Sequence, residues 1–311
     1  MTATSHLASL IDRGLFAVTA ELGPPRSADP RVVAQKCDVL RGAVDAVNIT
    51  DNQTAIVRMS SIAAARIVKD AGLEPVAQMT CRDRNRIALQ SDILGAAALG
   101  IPNLLVLSGD HQRFGNHPQA KNVFDVDSVQ LLTIARTLRD DRLFQCGDSI
   151  STSGKAPGLA PDLFLGAAAN PCAEPMLARV LRVEKKIAAG AQFIQTQAVF
   201  DVPAFERWME LVRSRGAHQR AAIMAGIVPV RSAKALRYMA EQVPGMRVPP
   251  PLIARMEGAA DPAREGATIA VELIEQLRRI DGVRGLHIMA IEWERIVPRI
   301  VERAGLLPRP A

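Results

Sequence analysis

Eight short apolar runs recur along this chain of 311 residues, and their repetition limits its fold more than any other feature. Segments with a helical pattern separate most of the runs, so that the order strand–helix repeats. Eight parallel strand–helix units are the number that closes a barrel. The sequence therefore predicts one α/β domain over residues 1–311, a (β/α)8 TIM barrel with strands at 15–22, 44–50, 75–81, 103–109, 163–170, 193–200, 221–229 and 285–291.

The segments between the runs carry the apolar spacing of amphipathic helices. Helices are predicted at 60–72, 86–100, 176–191, 203–216 and 261–282. The proline-rich stretch 244–251 should join two extra helices before the last strand, and residues 110–126 and 145–161 should form long polar loops. A doubly wound sheet is the alternative, but no predicted strand precedes the Gly-x-Gly-x-x-Gly pattern of dinucleotide-binding folds.

Composition and termini narrow the class of protein. Hydrophobic residues make up 48% of the chain and charged residues 23%, which is typical of soluble globular proteins. No apolar run approaches the ~18 residues of a membrane span, and the N-terminus lacks a signal-peptide pattern. The four cysteines form no Cys-x-x-Cys pair, so neither zinc nor disulfides are predicted. We expect a cytoplasmic protein with no membrane contact, in which residues 1–12 and 306–311 are peripheral and the last residues fray.

The net charge of +6 allows two interpretations. Lys and Arg residues are spread along the chain and aromatic residues are only 4%, so we predict no nucleic-acid partner. The excess charge then belongs either to a solvated basic surface or to a site for an anionic ligand, such as a phosphate-bearing cofactor. The predicted helix 261–282 could equally cover the barrel or pack on a second copy, which leaves a homo-oligomer open.

Polar residues lie in or just after the ends of successive predicted strands, on the side that forms the active-site face of such a barrel. A single polar residue there is usually a cap or a turn former, but its repetition on six strands predicts a site. Glu21, which precedes two prolines, is a candidate general acid, because burial can raise the pKa of a carboxyl. Asp110 follows Gly109 and is expected to stay ionised and to stabilise a developing cation. The remaining candidates are Thr50, Gln78, Ser108, Asn170 and Gln197.

The segment after the fifth strand carries a basic face. Arg179, Arg182 and Lys186 share one side of the predicted helix, with Lys185 adjacent. This face is either a solvated stripe or a clamp for the phosphates of a cofactor. The histidines indicate less: His111 and His117 have no third ligand near them, so no metal site is predicted. His287 is expected to be a packed, hydrogen-bonded residue.

Six segments in this order resemble the methylenetetrahydrofolate reductase family, flavin-dependent (β/α)8 enzymes of one-carbon metabolism. The resemblance runs from about residue 15 to residue 305 and is specific because the segments fall at successive strand ends. The segments are TAELGPPR (19–26), VNITDNQ (47–53), QMTCRDRNR (78–86), LVLSGDH (105–111), KKIAAGAQFIQTQAVFD (185–201) and GIVPV (226–230).

The resemblance implies a role for each candidate residue. Glu21 occupies the position of the family's catalytic glutamate, which gives a proton to the folate as the methylene bridge opens. Asp110 matches an aspartate that helps to stabilise the cationic iminium form, and Gln197 matches a glutamine that binds the folate. The family's FAD-binding positions fall on Thr50, Gln78, Ser108, Gly109, Asp110, Asn170 and Lys186, with Lys185 adjacent. Asp110 would thus follow a glycine so that the backbone can approach the flavin closely.

Several positions depart from the family pattern. Many members have arginine at Ser108, histidine at Gln78 and tyrosine at Asn170. Met239 stands where bacterial members that use NADH carry a stacking phenylalanine, and LHIMAIEWER (286–295) lacks the asparagine–arginine pair of those members. The resemblance therefore leaves three electron donors open: NADH, NADPH or a partner protein.

The implied activity is FAD-dependent reduction of 5,10-methylenetetrahydrofolate to 5-methyltetrahydrofolate, with the hydride passing through the flavin, in one-carbon metabolism and methionine biosynthesis. Two alternatives remain. One is a flavin-binding subunit that only relays electrons within a complex, although such a relay has no need of a positioned acid. The other is a pterin-binding barrel that transfers a methyl group from methyltetrahydrofolate to a corrinoid protein, which needs no flavin.

Overall fold

Eight parallel strands close into a barrel in the computed structural model, which describes residues 5–152 and 156–310. Each strand pairs with its neighbours in the chain, and β1 also pairs with β8. The predicted (β/α)8 fold is confirmed. The strands are β1 (Ala17–Leu22), β2 (Ala46–Ile49), β3 (Pro75–Thr80), β4 (Asn103–Leu107), β5 (Phe164–Ala169), β6 (Phe193–Ala198), β7 (Ala222–Ile227) and β8 (Val283–Ile288).

Helices surround the barrel, and every predicted helix forms, each ending a few residues earlier than predicted. They are α1 (His6–Asp12), α2 (Pro30–Leu40), α3 (Ser61–Asp70), α4 (Arg86–Ala98), α5 (Ser128–Arg136), α6 (Met176–Ala188), α7 (Val202–Ser214), α8 (Ala217–Arg220), α9 (Ala233–Gln242), α10 (Pro250–Glu257), α11 (Pro262–Leu277) and α12 (Val297–Arg303). Asp261 caps α11 by accepting from the backbone N–H of Arg264, with Pro262 in its first turn, as the Asp-Pro pair predicts.

The extra helices and the long loops lie close to their predicted positions in the chain. α9 and α10 precede α11, and the proline-rich stretch joins them, although α10 begins within it at Pro250. Three-residue 3-10 turns lie at Gln53–Ala55, Gln112–Phe114 and Glu294–Ile296, and a π-helical segment at Thr137–Asp141 follows α5. The loop predicted at 145–161 instead contains two short antiparallel strands, Ser151–Thr152 and Ala156–Pro157; residues 153–155 lie outside the described residues.

The amino-terminal end of the barrel is filled by apolar side chains. Phe164 and Phe193 stack there with ring centroids 5.0 Å apart. Gly166 makes room for them, because a Cβ at this position would lie 2.2 Å from the Phe193 ring. The layer also includes Leu7 and Ala8 of α1, together with Ala17, Ala46, Val76, Leu105, Ala222 and Met224.

Helix α1 closes this end of the barrel and is not peripheral, in contrast to the expectation for residues 1–12. Leu7 and Leu10 are fully buried. The Glu74 carboxylate accepts from the backbone N–H groups of His6 (2.6 Å) and Leu7 (2.9 Å), which satisfies two donors at the start of the helix. A charged cap therefore fixes the N-terminal helix across the bottom of the barrel.

The C-terminus is also anchored, so the expectation that the last residues fray is wrong for Arg309. Its guanidinium donates to both carboxylate oxygens of Asp45 (3.0 and 2.6 Å) and to the Phe16 carbonyl oxygen (2.7 Å). Asp45 also accepts from the backbone N–H of Val18, at the start of β1. The Asp45 side chain has no solvent exposure and that of Arg309 only 8%. This ion pair ties the end of the chain to the first two strands.

A polar layer lies two residues further along the strands. The side chains of Asn48 and Gln195 exchange two hydrogen bonds (2.6 and 3.2 Å), and Gln195 also donates to Thr19 Oγ1. His287 Nδ1 lies 3.0 Å from the same hydroxyl, and burial lowers its pKa to about 3, so its ring is neutral. His287 is packed and hydrogen-bonded, as predicted. Within the described residues, no helix is both long and apolar enough to cross a membrane.

Candidate functional site

Glu21 lies at the carboxyl end of β1, one layer above these amides. Its Oε1 accepts a hydrogen bond from Gln53 Nε2 at 3.2 Å. Desolvation raises its pKa from 4.5 to about 7, against the lowering effect of that hydrogen bond. The negative charge of Glu294 adds to the rise, and the nearby cations oppose it. Near neutral pH this carboxyl is therefore divided between its acid and its ionised form.

Charged side chains from three other segments enclose the Glu21 carboxyl. Lys36 of α2 forms an ion pair with Glu294 (2.5 Å) and donates to the Gly23 carbonyl oxygen. Arg58 donates to the Pro24 carbonyl oxygen at 3.0 Å. With Gln53, these residues line a recess of about 20 Å³, which is large enough for about one water molecule. Sequence reasoning missed Lys36, Arg58 and Glu294; only Glu294, an acid just after the last strand, had a positional signal.

Asp110 lies beyond the end of β4, which stops at Leu107 and not at residue 109 as predicted. Its side chain is exposed, and Oδ2 accepts from the backbone N–H of Thr54 at 3.2 Å. Gly109 has φ +87°, and a Cβ there would lie 3.0 Å from Thr80 Cβ. Glycine is therefore required for the turn that presents Asp110 at the mouth.

A buried arginine supports this turn from below. Arg82 is only 2% exposed and donates to the carbonyl oxygens of Asp110 (3.0 Å) and Asn52 (3.3 Å). Its Nε and Nη2 also donate to the Asp83 carboxylate. Because one guanidinium binds the backbone of two different loops, the loops after β2 and β4 are held in fixed relation to each other.

Three other predicted site residues present buried side-chain oxygens that have no hydrogen-bond partner within the described part of the chain. They are Oγ1 of Thr50, Oδ1 of Asn170 and Oε1 of Gln197. Asn170 uses its amide nitrogen to donate to the Pro244 carbonyl oxygen at 3.2 Å. A buried polar atom without a partner is costly, so these oxygens suit a ligand that donates hydrogen bonds.

The remaining predicted cofactor residues divide between the interior and the surface. Gln78 is buried in β3, whereas Ser108 is exposed and its hydroxyl lies 3.3 Å from that of Ser128. Lys186 is buried, and its Nζ donates to the Ala168 carbonyl oxygen at 2.5 Å. Burial lowers its pKa to about 8.

Lys185 and Lys186 do not face the same way. Lys185 is exposed while Lys186 is buried, because adjacent residues on a helix point in different directions. Arg182 is exposed, and Arg179 donates to the Glu174 carbonyl oxygen. The structure thus brings only Lys186 of the predicted basic face into contact with the carboxyl end of the barrel, at Ala168 of β5.

Comparison with known proteins gives a consistent result. The family model described as methylenetetrahydrofolate reductase matches residues 6–305. The 5,10-methylenetetrahydrofolate reductases of Pectobacterium carotovorum and Escherichia coli are 25% and 24% identical, each over 95% of this chain and 92% and 93% of their own lengths. Methylenetetrahydrofolate reductase 2 of Schizosaccharomyces pombe is 26% identical over 74% of this chain, which spans only 36% of that relative.

One solved structure extends the comparison to the fold. A protein from Clostridium thermocellum, described as binding two copies of 5-methyl-5,6,7,8-tetrahydrofolic acid, superposes with a TM-score of 0.64. The similarity covers 95% of this chain and 98% of that chain at 17% sequence identity. At this level of identity the similarity concerns the barrel architecture alone.

Proposed function

The chain belongs to the methylenetetrahydrofolate reductase family, and on this basis we propose that it reduces 5,10-methylenetetrahydrofolate to 5-methyltetrahydrofolate with FAD as its cofactor. The observation that carries the proposal is Glu21, a desolvated carboxyl at the barrel mouth whose pKa is raised to about 7. By the same resemblance, the reaction belongs to cytoplasmic one-carbon metabolism and supplies the methyl group for methionine biosynthesis.

Glu21 has the properties that the first chemical step needs. Opening the methylene bridge breaks one of its carbon–nitrogen bonds and leaves the electron pair on the nitrogen. This nitrogen must then receive a proton. A general acid works best when its pKa is close to the working pH, because it is then protonated often and still gives up its proton readily. When Glu21 has lost its proton, the Gln53 amide and the charges of Lys36 and Arg58 stabilise the carboxylate. Glu21 therefore serves as the proton donor.

Asp110 has the opposite environment and a different role. Its exposed carboxylate accepts from a backbone N–H and lies beside the buried Arg82 guanidinium. A positive charge develops on the substrate as the bridge opens to an iminium ion, and a carboxylate at the mouth stabilises such a charge electrostatically. Two carboxyl groups in different environments thus divide the work of acid and counter-ion.

Unpartnered oxygens supply candidate contacts for the folate and for FAD. Gln197 Oε1 would accept from an N–H group of the pterin ring. Thr50 Oγ1 and Asn170 Oδ1 fit the family's FAD positions because both are buried and lack a hydrogen-bond partner in the part of the chain that the structure describes. Gln78, Ser108 and Lys186 complete the set of residues that would hold FAD, and Gly109 would let the backbone approach the cofactor closely. Lys185, beside them in sequence, adds a surface charge. Bound FAD would supply the capacity to take up a hydride from the donor and to release it to the substrate.

The test is an absorbance spectrum of the purified protein, with the released cofactor identified, before and after anaerobic NADH or NADPH. The proposal predicts that the protein shows a flavin spectrum, if necessary after reconstitution with FAD. Once the flavin has been reduced and its absorbance bleached, 5,10-methylenetetrahydrofolate should re-oxidise it and restore the spectrum. If neither NADH nor NADPH reduces the flavin, but a reduced dye does and 5,10-methylenetetrahydrofolate then re-oxidises it, the electron donor is a partner protein. Folate binding without any flavin would contradict the proposal and favour the methyltransferase.

A further inference from the structure

The short segment between β2 and α3 contacts both carboxyl groups of the site. Gln53 Nε2 donates to Glu21 Oε1 at 3.2 Å. The next residue, Thr54, donates its backbone N–H to Asp110 Oδ2 at 3.2 Å. Two consecutive residues therefore connect the acid on β1 with the carboxylate after β4.

This segment adopts an unfavourable backbone conformation. Asn52, Thr54 and Ala55 have φ values of 47°, 54° and 57°, in the left-handed region that side chains other than glycine rarely occupy. Such a conformation persists only where its surroundings impose it, and it is found preferentially at functional sites.

Contacts from the neighbouring loops impose the conformation here. Arg82 Nη2 donates to the Asn52 carbonyl oxygen, and the Asn52 side chain accepts from the backbone N–H of Arg58 at 3.0 Å. The Asn52 amide nitrogen also donates to Asp83 at 3.4 Å. The backbone position of Gln53 is thus set by a network that includes Asp110 and does not depend on Glu21.

We propose that Gln53 is a positioning residue for Glu21: its amide fixes the orientation of the carboxyl and stabilises the ionised form, while segment 52–55 holds the amide in place through Asp110. The role of Glu21 as proton donor rests on the proposed function. The hydrogen bond itself acts on the carboxyl whether or not a substrate is bound, because an N–H group that donates to a carboxylate favours the ionised form.

Other charged groups also face Glu21 and must be kept constant in any test. Lys36 approaches from α2, Arg58 follows segment 52–55, and Glu292 and Glu294 follow β8. Lys36 and Glu294 are paired with each other, so their effects on Glu21 oppose each other. Gln53 makes direct hydrogen-bond contact with the carboxyl and carries no charge, so replacing it changes one hydrogen bond without changing the net charge.

The test replaces Gln53 by methionine, which has similar length and no donor, and by asparagine, which keeps the amide but is one methylene shorter. The control is Gln276→Met, the same chemical change on an exposed residue of α11. The pKa of Glu21 is measured by NMR of protein labelled with 13C at the glutamate carboxyl, with Glu21 assigned from its absence in Glu21→Gln. This measurement uses the protein without substrate.

In both Gln53 variants the pKa of Glu21 should rise by about one pH unit, the size expected for one lost hydrogen bond. In stopped-flow experiments, the decline at high pH of flavin re-oxidation by 5,10-methylenetetrahydrofolate should move up by the same pH unit, and its rate at low pH should fall because Glu21 is a weaker acid, with flavin reduction by the donor unchanged. Gln276→Met should match the wild type in both. An unchanged pKa in the Gln53 variants would overturn the proposal. A raised pKa in a protein that reduces no folate would contradict the proposed function and leave the contact to Glu21 established.

Discussion

The two ends of the barrel are built from the same strands but differ in how completely their polar groups are satisfied. At the amino-terminal end, the carboxylates of Glu74 and Asp45 are saturated by backbone N–H groups and by Arg309. At the carboxyl end, Thr50, Asn170 and Gln197 present buried oxygens that have no partner among the described residues. One end is therefore complete in itself, and the other is arranged for a ligand.

The distribution of unpartnered atoms supports this contrast across the described residues. Of the ten buried side-chain nitrogen and oxygen atoms that lack a hydrogen bond, seven lie on strand ends or loops at the mouth, and the others belong to helical residues, Arg179, Trp208 and His218. Among the described residues other than glycine that have left-handed φ values, those of segment 52–55, Phe124 and Glu292 lie there too, and Arg142, which ends the π-helical segment after α5, is the exception. Because both features cost stability, their concentration at one end indicates function.

Replacing Glu21 by glutamine should have the largest effect on chemistry and little effect on stability. Glutamine keeps the shape of the side chain but cannot give up a proton, so folate reduction should fall by about 10²- to 10⁴-fold, the usual contribution of a general acid. Flavin reduction by the donor should remain nearly intact. Stopped-flow measurement of the two half-reactions separates these effects, and an equal loss in both would remove Glu21 from the acid role.

Replacing Asp45 by alanine, at the amino-terminal end of the barrel, should have a large effect on stability and little effect on the chemistry. It leaves the buried Arg309 guanidinium and the Val18 N–H without their partner, so the free energy of unfolding should fall by about 3–5 kcal/mol. The control Asp38→Ala removes an exposed ion pair with Arg41 and should cost at most about 1 kcal/mol. Urea unfolding measures both. A loss of flavin binding in folded Asp45→Ala would contradict the separation of the two ends.

A smaller effect on stability is expected for Gly109→Ala. The backbone φ of +87° and the close approach of Thr80 disfavour a Cβ, so the variant should lose about 1–3 kcal/mol and bind FAD more weakly. Gly95→Ala is the matched control: Gly95 lies inside α4 with open space around its Cβ, so alanine should stabilise that helix by about 0.5–1 kcal/mol. Unaltered stability and FAD affinity in Gly109→Ala would show that this turn tolerates a side chain.

Most of the fold could be predicted because its signals are local. Apolar runs at regular intervals mark all eight strands, and Asp-Pro and glycine signals mark helix ends such as that of α11. The roles of the two termini could not be predicted in this way. The contacts of Arg309 with Asp45, and of Glu74 with α1, join residues far apart in the chain, and nothing in their immediate sequence distinguishes them from solvated charges.

The candidate site was likewise predictable where its residues are marked by their position at strand ends. Glu21 and Gln197 lie near the carboxyl ends of β1 and β6, and Asp110 follows β4, so the barrel topology alone brings them to one face. Lys36 could not be found because it lies within α2, where a lysine is usually a surface residue. Helical spacing makes Lys185 and Lys186 face different ways, but which of the two turns inwards follows from the packing of α6 on β5.

The most direct test of the central claim is the pH dependence of the folate half-reaction in the wild-type protein. If Glu21 gives the proton, re-oxidation of the reduced flavin by 5,10-methylenetetrahydrofolate should be constant at low pH and should fall above a pKa near 7, approaching tenfold per pH unit. Reduction of the flavin by its donor should not share this decline, and Glu21→Gln should abolish it. A folate half-reaction that stays constant from pH 6 to pH 9 would contradict the assignment of Glu21 as the acid.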